Sequence, residues 1–296
     1  DVGLGINPAL KARIAASDLL ILLGARFSEN PSQNFTLLGM PDPGRALVHV
    51  HPGPEELGRI YAPTLPICAT PGAFLRAALG LGGGASGGRA AAAHADYLAW
   101  SEPFAREVDG VDMGRVMAHL RAVLPADAII ANGAGNYAIW AHRFHRYGVG
   151  TQLAPTSGSM GYGLPAAVAA RLRNPGREVV CLAGDGCFQM TMQEMGTAAQ
   201  AGAAFVTLVC DNASYGTIRM HQDRRYPGRV SATDLRNPDF AAIARAYGAF
   251  AATVERFEGF ADALAEARAA AAAGRPALLH LKTDLRAITP AGSLAG

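Results

Sequence analysis

Two apolar runs that end in polar turns constrain this chain more than any other feature. Residues 178–183 (EVVCLA) and 204–210 (AFVTLVC) are short, nearly continuous hydrophobic runs of strand length. That is the pattern of strands buried on both faces of a parallel sheet. The first run ends in Gly184-Asp185-Gly186 and the second delivers Asp211-Asn212, with a helical segment predicted between them over about 191–201. A strand–helix–strand unit returns both strand ends to one edge of the sheet, the edge where open α/β sheets bind ligands. The fold class that follows is α/β with parallel sheets, Rossmann-like, in a three-layer α/β/α arrangement.

The polar ends suit a divalent cation that holds a diphosphate. Asp185 offers a hard anionic oxygen, Asn212 a neutral one, and a backbone carbonyl just beyond could add a third. Mg²⁺ takes a few such oxygens and completes its octahedron with water and phosphate oxygens. The two glycines let the backbone turn tightly and approach a ligand. Gly186 and Cys187 would then turn N–H groups toward the phosphates at a helix start. Alone, a Gly-Asp-Gly is a common strand-ending turn, and Asp185 by itself reads first as a structural turn or cap residue. The spacing adds the weight: GDG, then 25 residues from Cys187 to Asp211, then Asn212.

With 296 residues, the chain has room for one large or two ordinary domains and an ample core. Half of the residues are hydrophobic and 17% are charged, which fits a buried α/β interior. A net charge of +2, with no basic cluster interleaved with aromatics, gives no reason to propose nucleic acid or an anionic membrane as partner. No apolar run reaches the length of a membrane span and no amino-terminal signal pattern is seen, so the expected compartment is the cytoplasm. Cys68, Cys181, Cys187 and Cys210 have no CxxC or zinc spacing and read as reduced, mostly buried thiols.

Along the chain, a helix is predicted over 8–16, a buried strand over 19–24, a second strand over 46–50 and a short one over 65–68, and helices over 55–59 and 71–79. These look like the latter half of a Rossmann-like domain (1–79). A Gly/Ser-rich linker follows (80–90), and the second domain occupies 91–296. Within the second domain an amphipathic helix is predicted over 109–124 and a strand over 128–131. The strand runs into a Gly-rich turn, Asn132 to Tyr137, a good anion cradle before a helix at 138–143. Further helices are predicted at 219–226, 239–247 and 257–273, strands at 249–254 and 277–281, and a loose tail from Pro290.

The GDG-to-Asn212 spacing resembles the thiamine diphosphate (ThDP) signature of the ThDP-dependent 2-oxo acid decarboxylases and acetolactate synthases. The resemblance extends over nearly the whole chain as the central and diphosphate-binding domains of that superfamily. A second strong match is Thr156 to Ala167 (TSGSMGYGLPAA). The resemblance implies a ThDP-binding fold with Asp185, Asn212 and the Ser214 carbonyl on Mg²⁺. It implies that Ala134, Gly135, Asn136 and Tyr137 touch the diphosphate, with Gly186 and Cys187. Tyr215, Gly216 and Thr217 would close over it. Met160 would wedge between the cofactor's two rings, and the Gly158 carbonyl would accept from its amino group.

Some members of this superfamily carry FAD in the central domain. Gly24-Ala25-Arg26-Phe27 resembles a turn found there, but His49-Val50-His51-Pro52 stands where an acidic strand end would hold ribose, which argues against FAD. Arg26 reads as structural or interdomain. Where acetolactate synthases commonly have tryptophan, this chain has His221, read as pocket-lining or surface with acid–base catalysis as the alternative. Trp140 matches a family tryptophan and reads as core.

The implied activity is acetolactate-synthase-like decarboxylation or carboligation of 2-oxo acids. Alternatives are glyoxylate carboligase, benzoylformate decarboxylase or acyl-CoA lyase chemistry, or a ThDP-binding subunit that has lost catalysis. An NAD-type dehydrogenase is disfavoured, since no GxGxxG opens a helix after the first strand. The family's glutamate lies in an amino-terminal domain expected to be absent here. No catalytic residue is therefore assigned, and the chain alone is expected to be inactive. Family sites lie between subunits, which implies a homodimer or homotetramer.

Overall fold

A computed structural model describes residues 2–83 and 87–294. Two compact units divide the chain, Asp1–Trp100 and Ser101–Gly296. The first holds three parallel strands, β1 (Leu19–Leu23), β2 (Ala46–His51) and β3 (Leu65–Cys68), adjacent in that order. Its helices are α1 (Pro8–Ala16), α2 (Pro71–Ala78) and α3 (Arg89–Trp100). Helix α1 starts where the sequence says it must. Pro8 stands in the first turn, where no N–H is needed, and Asn7 Oδ1 accepts from Ala9 N. The core gathers Leu22, Phe27, Leu37, Leu38, Leu47 and Tyr61.

Two expectations change in this unit. Strand β1 was expected to be buried, yet Leu19 and Ile21 are 47% and 49% exposed, because only the alternate face, with Leu20 and Leu22, packs on that core. The helix expected over 55–59 shrinks to one 3₁₀ turn (Pro54–Glu56), since Gly58 at φ 79° turns the backbone out of the right-handed region. Residues 84–86 of the expected linker lie outside the described residues, and α3 groups with the first unit.

The second unit is built on one six-stranded parallel sheet. Its strands and helices run α4 (Met113–Val123), β4 (Ile129–Asn132), α5 (Asn136–Phe144), β5 (Gln152–Leu153), α6 (Gly163–Arg173), β6 (Val179–Gly184), α7 (Asp185–Gln189), α8 (Glu194–Gln200), β7 (Val206–Asp211), α9 (Gly216–Arg225), α10 (Phe240–Ala246), β8 (Phe250–Val254), α11 (Phe260–Ala272) and β9 (Ala277–Lys282). The strand order is β5-β4-β6-β7-β9-β8. The continuous apolar runs follow from burial on both faces. Val180, Leu182, Leu208 and Leu279 pack toward Met117 of α4, Trp140 of α5 and Leu264 of α11. Cys181, Ala183, Val209 and Leu278 pack toward Leu164 of α6, Met195 of α8 and Phe240 of α10. Each fully buried leucine contributes roughly 1.5–3 kcal/mol.

Helix boundaries moved where the backbone turns sharply. The helix expected over about 191–201 forms as α8, from Glu194, and the GDG turn opens a separate short helix, α7. The amphipathic helix expected from 109 starts at Met113, because Asp112 caps it by accepting from Gly114 N. The tail expected to be loose is tied down as far as it is described: Arg106 donates to the Thr289 and Gly292 carbonyls and to Ser293 Oγ. No helix among the described residues is long and apolar enough to cross a membrane.

Candidate active site

The chain leaves β4 to one side, toward β5, and leaves β6 to the other, toward β7. Between the carboxyl ends of β4 and β6 the connections therefore diverge, and a crevice opens at such a switch point. A cleft of about 680 Å³, including its open mouth, lies there and takes its walls from the turns after β4, β6 and β7.

Each turn is shaped by its own residues. After β4 the backbone passes through Gly135 at φ 146°, where a Cβ would also stand 2.8 Å from the Tyr137 ring. Only glycine fits that position. As N-cap of α5, Gly135 offers no capping oxygen of its own. The open first turn of such a helix is a natural place for an anion. Asn136 N donates to Thr217 Oγ1 at 3.0 Å, and Thr217 Oγ1 donates back to Asn136 Oδ1 at 3.0 Å, which joins the β4 turn to α9. Cys187 Sγ accepts from Tyr137 Oη at 3.2 Å and from Gly161 N at 3.1 Å, so one sulfur links the β4 turn, the GDG turn and the loop before α6. Burial, with the neighbouring thiols, pushes the Tyr137 phenol well above its ordinary range and keeps it a donor.

The turn after β7 is held in a strained form. Ala213 sits at φ 53°, a left-handed conformation that costs a non-glycine residue roughly 1–2 kcal/mol. Two side chains close it: Asp211 Oδ1 accepts from Ala213 N at 2.9 Å and Asn212 Oδ1 from Ser214 N at 3.1 Å. A short antiparallel pairing clamps it from outside, with Tyr215 N donating to the Thr233 carbonyl and Leu235 N to the Ala213 carbonyl, both at 2.8 Å.

Asp185 is 3% exposed, and its hydrogen bonds come from uncharged groups: Gly186 N to Oδ1 at 2.9 Å and Asn237 Nδ2 to Oδ2 at 2.8 Å. Burial pushes its carboxyl up to about 6; the Asn237 and Gly186 bonds pull against that rise and the nearby Asp211 charge adds to it. Asp211 behaves oppositely. Burial opposes its charge, but His280 Nε2 at 2.6 Å, Lys282 Nζ at 2.7 Å and Ala213 N donate to it and hold it far below the usual carboxylate range. Two carboxylates at neighbouring strand ends are thus kept distinct, one held by the Lys282 ammonium and the His280 ring and one bonded by neutral groups alone.

Of the fourteen residues singled out from the sequence, the cleft is lined by Ala134, Gly135, Asn136, Tyr137, Met160, Asp185, Gly186, Cys187, Asn212, Ser214, Tyr215, Gly216 and Thr217. Gly158 does not line it; it is exposed, at φ 68° in the loop leading to Met160. His221 lies exposed on α9, away from the lining. Trp140 serves both readings, being part of the core and of the cleft wall. Arg26, in the first unit, reaches Glu56 at 3.4 Å, which fits its structural reading.

Sequence reasoning missed Met113, Ile218, Thr283, Asp284, Ala287 and Ile288, which also line the cleft, and the partners Asn237, His280 and Lys282. A signal for two of these existed. His280 and Lys282 stand two apart on a strand, so they share one face.

Both halves of the chain match known families. Residues 133–281 match the model for the thiamine pyrophosphate enzyme, C-terminal TPP binding domain, and residues 1–78 that for its central domain. An acetolactate synthase of Mycobacterium bovis is 30% identical over 286 residues, covering 88% of this chain and 44% of the relative. The acetolactate synthase large subunit of Corynebacterium glutamicum is 31% identical over 271 residues, covering 85% and 42%. The chain thus spans less than half the length of these relatives. Among solved structures, a thiamine diphosphate-dependent 4-hydroxybenzoylformate decarboxylase of Rhodococcus jostii superposes with a TM-score of 0.72 at 26% identity, over 93% of this chain and 50% of that one. With the two domain models following one another along the chain, and the second lying over the switch-point cleft, the chain belongs to the family of thiamine pyrophosphate enzymes.

Proposed function

We propose that the chain carries the diphosphate- and metal-binding part of a ThDP- and Mg²⁺-dependent enzyme that decarboxylates or joins 2-oxo acids, in the manner of an acetolactate synthase. The observation that carries this reading is the meeting of Asp185 and Asn212, from the ends of adjacent parallel strands, in the wall of one cleft. The donor set fits the cation. A carboxylate has about four lone-pair sites, of which Asp185 uses two within the protein, and Asn212 adds an amide beside it. Hard oxygens of this kind suit Mg²⁺, with the Ser214 carbonyl as a third protein ligand. The Gly-rich turn at Ala134 to Tyr137 would hold the diphosphate together with Gly186, Cys187, Tyr215, Gly216 and Thr217. Met160, in the cleft wall, would pack against the cofactor, and the exposed Gly158 loop beside it would have to move for its carbonyl to join in.

When bound, ThDP supplies the electron sink for loss of CO₂ from a 2-oxo acid. This chain's own residues anchor its charged end, and the apolar wall of Met113, Trp140 and Ile288 keeps water from one side of the cleft. The identities at relatives named acetolactate synthase favour that acceptor chemistry over the alternatives. We further propose that the pyrimidine-binding domain lies outside this chain, that the chain alone is inactive, and that the active form is a homodimer or homotetramer.

Asp185→Ala should abolish Mg²⁺-dependent ThDP binding in the full-length protein while leaving its circular dichroism unchanged. An unchanged calorimetric affinity for ThDP would mean that the cation sits elsewhere.

A further inference from the structure

Met160 reaches the cleft wall from a loop whose preceding residues, Thr156 to Ser159, are all exposed. What fixes it lies on the other side. Gly161 is buried at φ 84°, and side chains from the segment after the Gly-Asp-Gly turn hold both of its backbone polar groups. Its N–H donates to Cys187 Sγ at 3.1 Å, and its carbonyl accepts from Thr191 Oγ1 at 2.8 Å. The fit is close, since a Cβ at Gly161 would stand 3.0 Å from Thr191 Cγ2 and 3.2 Å from Met190 Cβ. Thr191 in turn rests on the core. Its N–H donates to the Phe188 carbonyl at 3.2 Å, and its own carbonyl accepts from Glu194 N at 2.9 Å. Phe188 is 1% exposed and meets the Phe240 ring edge-on, with centroids 5.4 Å apart. Thr191 is not among the described residues that line the cleft.

We propose that Thr191 is a positioning residue: through Gly161 it fixes Met160 in the cleft wall and so sets how tightly the ring portion of ThDP is held. This rests on reading the cleft as the ThDP site with Met160 against the cofactor. Methionine is unbranched and flexible, so its side chain makes a firm wall only where its backbone is held. Glycine, without a Cβ, has the widest range of backbone angles to move into. Without the Thr191 hydroxyl the Gly161 carbonyl loses its side-chain donor, and Met160 can draw back toward the exposed loop. The segment from Asp185 to Thr191 therefore braces both ends of the ligand. Asp185, Gly186 and Cys187 stand in the cleft wall themselves, and Thr191 acts from behind it through Gly161 and Met160.

The test is calorimetric titration of two ligands into the full-length protein at saturating Mg²⁺: ThDP, and inorganic pyrophosphate, which carries the diphosphate without the rings. The wild type is compared with Thr191→Val, Thr191→Ser, Met160→Ala and the Thr191→Val, Met160→Ala double variant. Thr191→Val keeps the branched shape but not the hydroxyl, and should weaken ThDP roughly 3–10-fold, the net worth of one neutral hydrogen bond. Pyrophosphate affinity should not change. Thr191→Ser keeps the donor and should match the wild type for both ligands. In the Met160→Ala background the Thr191→Val loss should vanish, because the hydroxyl then has no side chain to position. A merely structural role would weaken both ligands, or add its full loss in either background. Either result overturns the proposal, as does an unchanged ThDP affinity in Thr191→Val or a loss in Thr191→Ser as large as in Thr191→Val. Should Thr191→Val fail to fold, Thr191→Ala takes its place in the same cycle, with the same outcomes. If Met160→Ala binds ThDP like the wild type, the reading of Met160 falls and the proposal with it. If Met160→Ala weakens ThDP and Thr191→Val does not, the proposal alone falls.

Discussion

A Cβ added at Gly186 would stand 2.6 Å from the Tyr215 ring and 3.2 Å from Leu235. Tyr215 cannot yield freely, because its N–H is bonded to the Thr233 carbonyl and its ring lines the cleft. The expected effect of Gly186→Ala is a loss of roughly 1–3 kcal/mol, the usual cost of overpacking, read as a lower urea midpoint with unchanged slope. Weaker ThDP binding should accompany it, since the same turn carries Asp185. The Gly-Asp-Gly triplet was legible in the sequence as a turn with a polar tip. That its second glycine is required by an aromatic ring 29 positions away was not, because no local pattern encodes that approach.

At the scale of elements, the strands between helical layers bear the stability of the second unit. Leu208 in β7 is fully buried among α4, α5 and α11. Leu208→Ala should cost about 2–5 kcal/mol, the range for a buried leucine that leaves a cavity. Leu172→Ala, at a leucine half-exposed on α6, should stay within about 0.5 kcal/mol. Denaturant titration of both variants checks the contrast. Strands β6, β7 and β9 could be read directly as apolar runs because both of their faces are covered. Strand β5, two residues long, carries too few side chains to show a period, and it exists only because β4 offers it an edge at Ile130 and Ala131. The short α7 lies ahead of the helix expected from about 191, and Thr191 to Gln193, expected to be helical, form turns before α8 that the composition does not announce.

For the whole molecule, the cleft lies within the second unit and its walls come from three strand ends and the segment after β9. A ligand bound there stabilises the native state by mass action, about 2.7 kcal/mol at a hundred times its dissociation constant. With Mg²⁺ and ThDP together, hydrogen exchange should slow most in 132–137, 184–187 and 211–217, the turns that form the site. Protection confined to other segments would contradict the site described above.

What the sequence by itself determined is local: where chains of apolar residues make strands, where glycine permits a turn, and which spacing carries Asp185 and Asn212 to one sheet edge. Such features depend on backbone sterics and periodicity within a few residues. Only the tertiary structure decided that β9 lies beside β7, pairing Lys282 with Asp211 although β8 intervenes in the chain. That neighbourhood brings His280 and Lys282 onto Asp211, lets Asn237 bridge to Asp185, and sets Ile288 in the cleft wall. Strand order is settled by how helices cover both faces of the sheet, a property of the whole packed layer, so no stretch of the sequence states it alone.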